Sequence, residues 1–423
     1  MLIVSCAPGH ERSGDPFVRV SNGRLVKDGR YYYFIGTNFW YGAILASKGE
    51  GGDRERLEKE LDLMQDVGID NVRVLVGADG ENGVPSRVRP TLQYAPGLYN
   101  DTILDGLDYL LSELDKRNMK AVLYLNNSWE WSGGYSVYLQ WAGYGTPPIP
   151  NVDGWEKYYQ YVRNYMQSDS AKMLFDNHIK NILGRTNRYT QRRYADEPAI
   201  MSWQIGNEPR CFADSNKEAF IEWVAHTAQL ISQLDTNHLV SIGGEGYIGC
   251  EEDVALYDRL SADENIDYLN IHILPYNWGW LRKDSLDKYL VRSNINTSMY
   301  ISDHLVVADK YNKPLVLDEF GFPRDKFQFA PDSPTTLRDD YYQHIFKLIL
   351  LQARRRGHFA GCNFWAWGGT AVPNNTFWQQ GDPYIGDPPQ EEQGLNSVFA
   401  NDSTLLIIRQ INEELVALRS DSL

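Results

Sequence analysis

Two glutamates stand at the ends of short apolar runs. Asn207-Glu208 follows IMSWQIG, and Asp318-Glu319 lies within PLVLDEF. Two carboxyl groups that face each other suit glycoside hydrolysis, in which one protonates the leaving oxygen and the other attacks the anomeric carbon. Environment sets which is which: a nearby cation favours the ionised form, and dry, aromatic surroundings favour the proton. Further reactive side chains sit on other apolar runs. Arg73 stands in NVRVLV, Asn126 and Asn127 end KAVLYLNN, His272 lies in YLNIHI, and Trp365 and Trp367 lie in GCNFWAW. A single acid at a strand end is ordinarily a helix cap or a surface charge. Two of them, with Arg, Asn, His and Trp on neighbouring runs, are hard to explain as structure alone.

These runs must be positioned by something regular. Strand-like stretches occupy 31–37, 71–76, 120–126, 200–206, 239–244, 268–273, 314–320 and 361–367. Most are β-branched or aromatic and short enough for buried parallel strands. Helical periodicity fills the gaps at 53–67, 101–117, 156–183, 215–234, 251–261, 285–311, 335–356 and 404–419. Strands each followed by a helix predict a (β/α)8 TIM barrel. A doubly wound sheet would show a glycine-rich turn after its first strand, whereas Thr37-Asn38-Phe39-Trp40 stands there. The long loops 77–100, 127–155 and 368–395 each follow a strand, on the side where such barrels build their sites.

Composition narrows the partner. Lys and Arg number 41 against 56 Asp and Glu, a net charge of −15, which argues against nucleic acid because phosphate binding needs a basic face. No run approaches the roughly 18 apolar residues of a membrane span. The 12 Trp, 27 Tyr and 15 Phe exceed what core packing asks for, and flat rings suit the apolar faces of sugars. Four cysteines, at 6, 211, 250 and 362, form no disulfide framework and no zinc spacing. Cys211 and Cys250 follow neighbouring strands and read as free thiols, with a bridge between them as the alternative, and Cys362 reads as inert core. Met1 to Cys6 has two readings: the end of a bacterial lipoprotein signal with a polar tether over 7–16, or a frayed terminus with a chance cysteine.

Ile205-Gly206-Asn207-Glu208-Pro209-Arg210, taken with Leu317-Asp318-Glu319-Phe320-Gly321, resembles glycoside hydrolase family 5. The longer strings GTNFWYGAILAS, NVRVLVGADGE, LYLNNSWEWSGG, WQIGNEPR, NWGW and GDPPQEEQGLNSVF resemble its bacterial endo-β-1,4-mannanases, over about residues 17 to 419. The resemblance implies a catalytic domain over 17–423 preceded by a tether over 1–16, with no cofactor and no metal. It implies that Glu208 is the general acid/base and Glu319 the nucleophile. Asn207 would bind the 2-hydroxyl of the reacting sugar, Arg73 would hold the nucleophile, His272 would stand near both carboxylates, and Trp365 would floor the reacting subsite. Asn126, Arg210, Trp40, Trp129, Trp278 and Trp280 join the expected substrate-binding set, whereas Trp141 and Trp155 read as structural.

One departure stands out. Relatives usually carry Tyr or Trp two residues after the strand-six histidine, where this chain has Leu274, and Tyr276 is close enough in sequence to swing in. The acidic stretch 382–392 holds Asp387, Glu391 and Glu392, which in principle suit Ca²⁺, although the spacing matches no calcium motif. The expected activity is endo-hydrolysis of mannan, glucomannan or galactomannan with net retention, by a monomer outside the cytoplasm, whether secreted, periplasmic or lipid-anchored at Cys6. The rivals are a glucanase of the same fold and a mannan-binding surface protein that turns over weakly.

Overall fold

The computed structural model describes residues 15–419; Cys6 and the lipid-anchor reading lie outside them. Eight parallel strands form the barrel: β1 Phe34–Asn38, β2 Asn71–Leu75, β3 Lys120–Tyr124, β4 Ile200–Gln204, β5 Leu239–Ser241, β6 Leu269–Ile273, β7 Leu315–Phe320 and β8 Phe359–Phe364. They are hydrogen-bonded in the order β5-β4-β3-β2-β1-β8-β7-β6. The seam between β5 and β6 is closed partly by side chains. Val240 N–H donates to Asp267 Oδ2 at 2.7 Å and Gly243 N–H to Asn270 Oδ1 at 2.8 Å.

Eight helices cover the outside: α1 Arg54–Asp66, α2 Asp101–Lys116, α3 Asp169–Leu183, α4 Lys217–Leu234, α5 Val254–Ser261, α6 Leu286–Tyr311, α7 Thr336–Arg355 and α8 Ser403–Leu418. Several begin where a side chain caps the first turn: Asp53 accepts from Arg56 N, Asn100 from Thr102 N, and Ser168 from Ala171 N. The Ser168 cap also explains why the helix expected over 156–183 is two, Trp155–Val162 and α3, parted by a 3-10 turn. The periodicity runs through; the local hydroxyl acceptor restarts the helix.

The alternation of side chains along each strand divides two cores. Outward residues such as Val72, Val74, Leu315 and Leu317 pack under the helices. Inward residues Phe34, Val122, Met201, Leu239, Val316 and Ala360 plug the bottom of the barrel. A three-stranded antiparallel sheet, Arg19–Ser21, Arg24–Lys27 and Arg30–Tyr31, seals that plug with Val18 and Leu25. Tyr31 therefore belongs to the seal, and the first barrel strand starts at Phe34 rather than at 31. No helix among the described residues is long and apolar enough to cross a membrane.

Candidate active site

Above the apolar plug the barrel interior turns polar. β2 delivers Arg73, whose wholly buried guanidinium donates to Gln204 Oε1 at 2.7 Å, Asn38 Oδ1 at 3.1 Å, Glu319 Oε1 at 2.5 Å and Asn207 Oδ1 at 3.0 Å. The Tyr124 ring lies 4.4 Å from that cation. β7 delivers two successive acids to the interior, which a regular strand does not do. The register between β6 and β7 shifts after Ile271, so Ile271 pairs with Leu317 but His272 with Glu319. The bulge leaves Asp318 unmatched and re-aims the chain. Asp318 then accepts from Gln204 at 2.6 Å and Asn270 at 2.5 Å, and Glu319 reaches Arg73. Burial pushes Asp318 up to about 6, with the Arg73 charge opposing.

Glu208 follows β4 in a left-handed backbone conformation, φ 50°, a strained geometry for a non-glycine residue. Glu208 N–H donates to Gly243 O at 2.9 Å, and Asn207 N–H to Asn126 O at 2.8 Å. One Glu208 oxygen meets His272 Nδ1 at 2.8 Å and the other accepts from the Trp129 indole N–H. His272 Nδ1 is also 3.6 Å from Glu319. Burial, reinforced by the Arg73 charge, holds His272 well below the usual imidazole range, so the ring is neutral. Ligating atoms of Glu208, His272 and Glu319 all lie within 4.8 Å of one another. Burial raises both carboxyls, and Arg73 pulls Glu319 back towards the ionised form. Arg73 is buried against that one carboxylate in direct contact and requires a counterion, so the charge of the pair belongs on Glu319 and its proton on Glu208. The trio has the dimensions of a cation site. It fits one poorly, because the Arg73 cation and the Trp129 N–H already occupy carboxylate lone pairs.

The two carboxyls open into a cleft of about 1070 Å³. Of the expected residues, Asn207, Glu208, Arg210, Trp129, Trp278, Glu319 and Trp365 line it. Arg73 and His272 stand directly beneath. Arg210 is anchored by Glu245 at 2.6 Å and lies 5.3 Å from the Trp129 ring. Three expectations are corrected. Asn126 turns outward to Tyr165 OH at 3.4 Å and contributes its backbone instead. Trp40 is 1% exposed, donates to Gly386 O at 2.8 Å and packs edge-on to Trp131, bracing the loop after β8 rather than touching ligand. Trp280 packs behind Trp278, ring centres 5.1 Å apart.

In the opposite sense, Trp155 is 46% exposed and lines the cleft, although it reads as structural in sequence. Trp141 is structural, edge-on to Tyr138 at 5.4 Å. Leu274 lines the cleft and so does Tyr276, whose ring also packs on Phe327 at 4.9 Å. Cys211, Cys250 and Cys362 are buried free thiols. Asp387 is engaged by its own loop. Its carboxyl accepts from the backbone N–H groups of Gly394, Asn396 and Ser397 and from Ser397 Oγ, fastening the loop onto itself. Sequence reasoning missed Asn38, Gln204 and Asn270, whose signal was their place on inward positions of barrel strands.

A family described as GH family 5, β-mannosidase-like, matches residues 15–420. The chain is similar to a family 5 mannosidase from Rhizomucor miehei, with 34% identity, a TM-score of 0.88, and 96% of this chain and 99% of that one covered. An endo-1,4-β-mannanase from the same fungus shares the fold at 22% identity and a TM-score of 0.68, over 96% of this chain and all of that one. Mannan endo-1,4-β-mannosidase 4 of Solanum lycopersicum is 30% identical over 65% of this chain and 66% of its own length. These plant and fungal relatives do not support the bacterial branch that the loop strings point to.

Proposed function

We infer the reaction from family and geometry together: the chain belongs to glycoside hydrolase family 5, among its β-mannosidase-like members. It is a glycoside hydrolase. Its substrate is a β-1,4-linked mannoside, and its mechanism is double displacement with net retention. The observation that carries this reading is the carboxyl pair, with ligating oxygens within 4.8 Å. That spacing leaves no room for a water between attacking carboxylate and sugar, and retaining enzymes hold their carboxyls about 5–5.5 Å apart. Glu319, ionised against Arg73, attacks the anomeric carbon. Glu208, kept protonated by burial, gives its proton to the departing oxygen. Glu208 then takes a proton from the incoming water, which releases the sugar from Glu319. Trp365 offers the glycone an apolar face, and Asn207, fixed by Arg73, is placed to bind its 2-hydroxyl.

The cleft volume of about 1070 Å³ has room for more than one sugar, which supports internal cleavage of mannan. A second reading, cleavage at chain ends, is favoured by a specific contact. Lys283 and Glu392 approach to 3.7 Å and join the loops after β6 and β8. The greater likeness to the fungal mannosidase than to the mannanase of the same fungus supports it too. A polymeric mannan substrate supports a location outside the cytoplasm; mass spectrometry of Cys6 in protein made from its native gene tests the lipid anchor.

The test is a matched assay of wild type and Glu319→Ala on glucomannan, galactomannan, carboxymethyl-cellulose and mannotetraose, with product sizes recorded over time. Early short oligosaccharides from the mannans, absent in the variant, support internal cleavage. Mannose alone supports the chain-end reading. Preferential cleavage of cellulose, or mannan binding without turnover, overturns the mannosidase assignment.

A further inference from the structure

The helix α6 carries its polar and apolar residues in an unusual order. Its barrel-facing side mixes Tyr300, Ile301 and Val307 with Ser293, Thr297 and His304, all buried. Thr297 Oγ1 meets Tyr341 OH of α7 at 2.8 Å, and Ser298 Oγ meets His344 Nε2 at 2.7 Å. The outer side, by contrast, carries Val291, Ile295, Met299 and Val306, which are 67%, 54%, 60% and 68% exposed. At 3.6 residues per turn these four fall within about 80° of one another around the helix. Exposed Ser302 fills the one gap between them. An apolar side chain exposed singly is ordinary, but four in one stripe present on the order of 400 Å² of apolar surface, the size of patch that marks an interaction site. The charges beside the stripe say what covers it. Lys288 stands in the first turn and Arg292 in the second, whereas Asp303 and Asp309 lie in the last third of the helix, all of them exposed. That order opposes the helix macrodipole, which favours acids at the N-terminus and bases at the C-terminus. Asp287 and Lys310 follow the ordinary order, and Lys310 is engaged by Asp258 at 2.7 Å. Among the described residues Lys288, Arg292 and Asp303 form no ion pair, and Asp309 meets His358 Nε2 at 3.3 Å.

We propose that this stripe is an interface between two copies of the chain, whose α6 helices pack antiparallel about a two-fold axis beside Met299. A membrane surface would call for bases along the whole face. A face with bases at one end and acids at the other complements its own reverse. Reversal about the midpoint of the stripe sets Val291 against Val306 of the second copy and Ile295 against its Ser302. It sets Lys288 against Asp309 of the second copy, and Arg292 within one turn of its Asp303. Each contact occurs twice, because one patch serves both copies, as closed two-fold symmetry requires. Stable interfaces take about 800 Å² from each partner and are a little over half apolar. The stripe supplies the apolar half, and the long charged side chains that flank it supply the polar rim. None of these residues lines the cleft, so both sites stay open in the pair. The dimer takes the place of the monomer expected from the sequence.

The test is sedimentation equilibrium of the full chain from about 1 to about 100 μM, the range in which an interface of this size reports its affinity. Wild type is expected to reach twice the chain mass within it. Met299→Glu brings two carboxylates together on the axis and should weaken association at least about 100-fold. Lys288→Glu and Asp309→Lys each set like charges against one another and should weaken it about 10-fold. The double variant Lys288→Glu/Asp309→Lys restores both pairs with their signs exchanged, and should recover the wild-type association. Melting curves check that every variant is folded, and turnover of 4-nitrophenyl β-mannoside should stay at the wild-type level in all of them. A wild type that remains monomeric at the top of the range overturns the proposal, as does a Met299→Glu that dimerises as tightly as wild type. A double variant that associates no better than either single one overturns the antiparallel pairing and the proposal with it.

Discussion

At the scale of single residues, the site depends on one guanidinium that serves four acceptors on three strands or their ends. Lysine offers a point charge and no fork. Arg73→Lys should therefore lower kcat about 100- to 1000-fold, the range for losing one preorganised donor, with KM changed far less; steady-state kinetics and a melting curve on the same preparation separate this from unfolding. Trp129 acts on Glu208 through its N–H, which favours the ionised carboxylate. Trp129→Phe removes that donor and should move the alkaline limb of the kcat/KM profile to higher pH, because Glu208 then keeps its proton longer. Glu391 also links pH to stability. Its folded pKa stands above the ordinary glutamate value of 4.5, so its contribution is full below pH 4.5 and is lost as pH rises towards about 8. Urea midpoints of wild type and Glu391→Gln should therefore diverge in slope across that window; parallel slopes would show that the carboxyl ionises freely.

At the scale of elements, helix and strand are coupled by buried amides as well as by apolar packing. Asn412 on α8 accepts from Ile35 N–H at 3.1 Å and donates to the carbonyls of Ile35 and Val67, each at 3.2 Å. It ties the last helix to the first strand and so closes the α/β ring. Asn412→Ala should destabilise by about 2–4 kcal/mol, the cost of stranding buried backbone groups, without altering the pH profile of catalysis. The Asp387 knot plays the same part for the loop after β8. Asp387→Asn turns an acceptor that faces donors into an amide that opposes some of them. Limited proteolysis within 370–397 should accelerate while the barrel stays intact.

At the scale of the whole molecule, the barrel protects neutral imidazoles. Burial depresses His178 to about 3 and His304 to about 4. His304 is held neutral by its partners, since Nδ1 donates to Tyr300 O at 2.7 Å and Nε2 accepts from Tyr247 N–H at 3.1 Å. A folded pKa below the unfolded value of 6.5 gives stability that is complete above pH 6.5 and lost as pH falls through 4 towards 3. The Tm should fall steeply over that interval, and His304→Gln should lessen the slope.

The sequence carried the periods from which the fold follows. Eight short apolar runs and eight amphipathic stretches are local patterns, and burial between helices reads as hydrophobic whatever the tertiary detail. Glu208 and Glu319, the proposed catalytic pair, stood out as candidates for the same reason, because reactive groups in such a barrel gather at the ends of strands. Three things were not legible. A register shift between β6 and β7 depends on pairing, so the entry of both Asp318 and Glu319 into the interior is invisible in PLVLDEF. The roles of the loop tryptophans depend on which loop lies beneath which. Trp40 looked like a ligand platform and braces a loop, whereas Trp155 looked structural and faces the cleft. Glu391 belongs to a loop whose course is fixed only by hydrogen bonds within itself and to distant loops, and residue order alone does not say that it ends beside Trp365. Periodicity determined the scaffold and the reactive pair, because those obey rules that act along the chain. Tertiary packing decided what surrounds the sugar, because that rests on contacts between segments far apart in sequence.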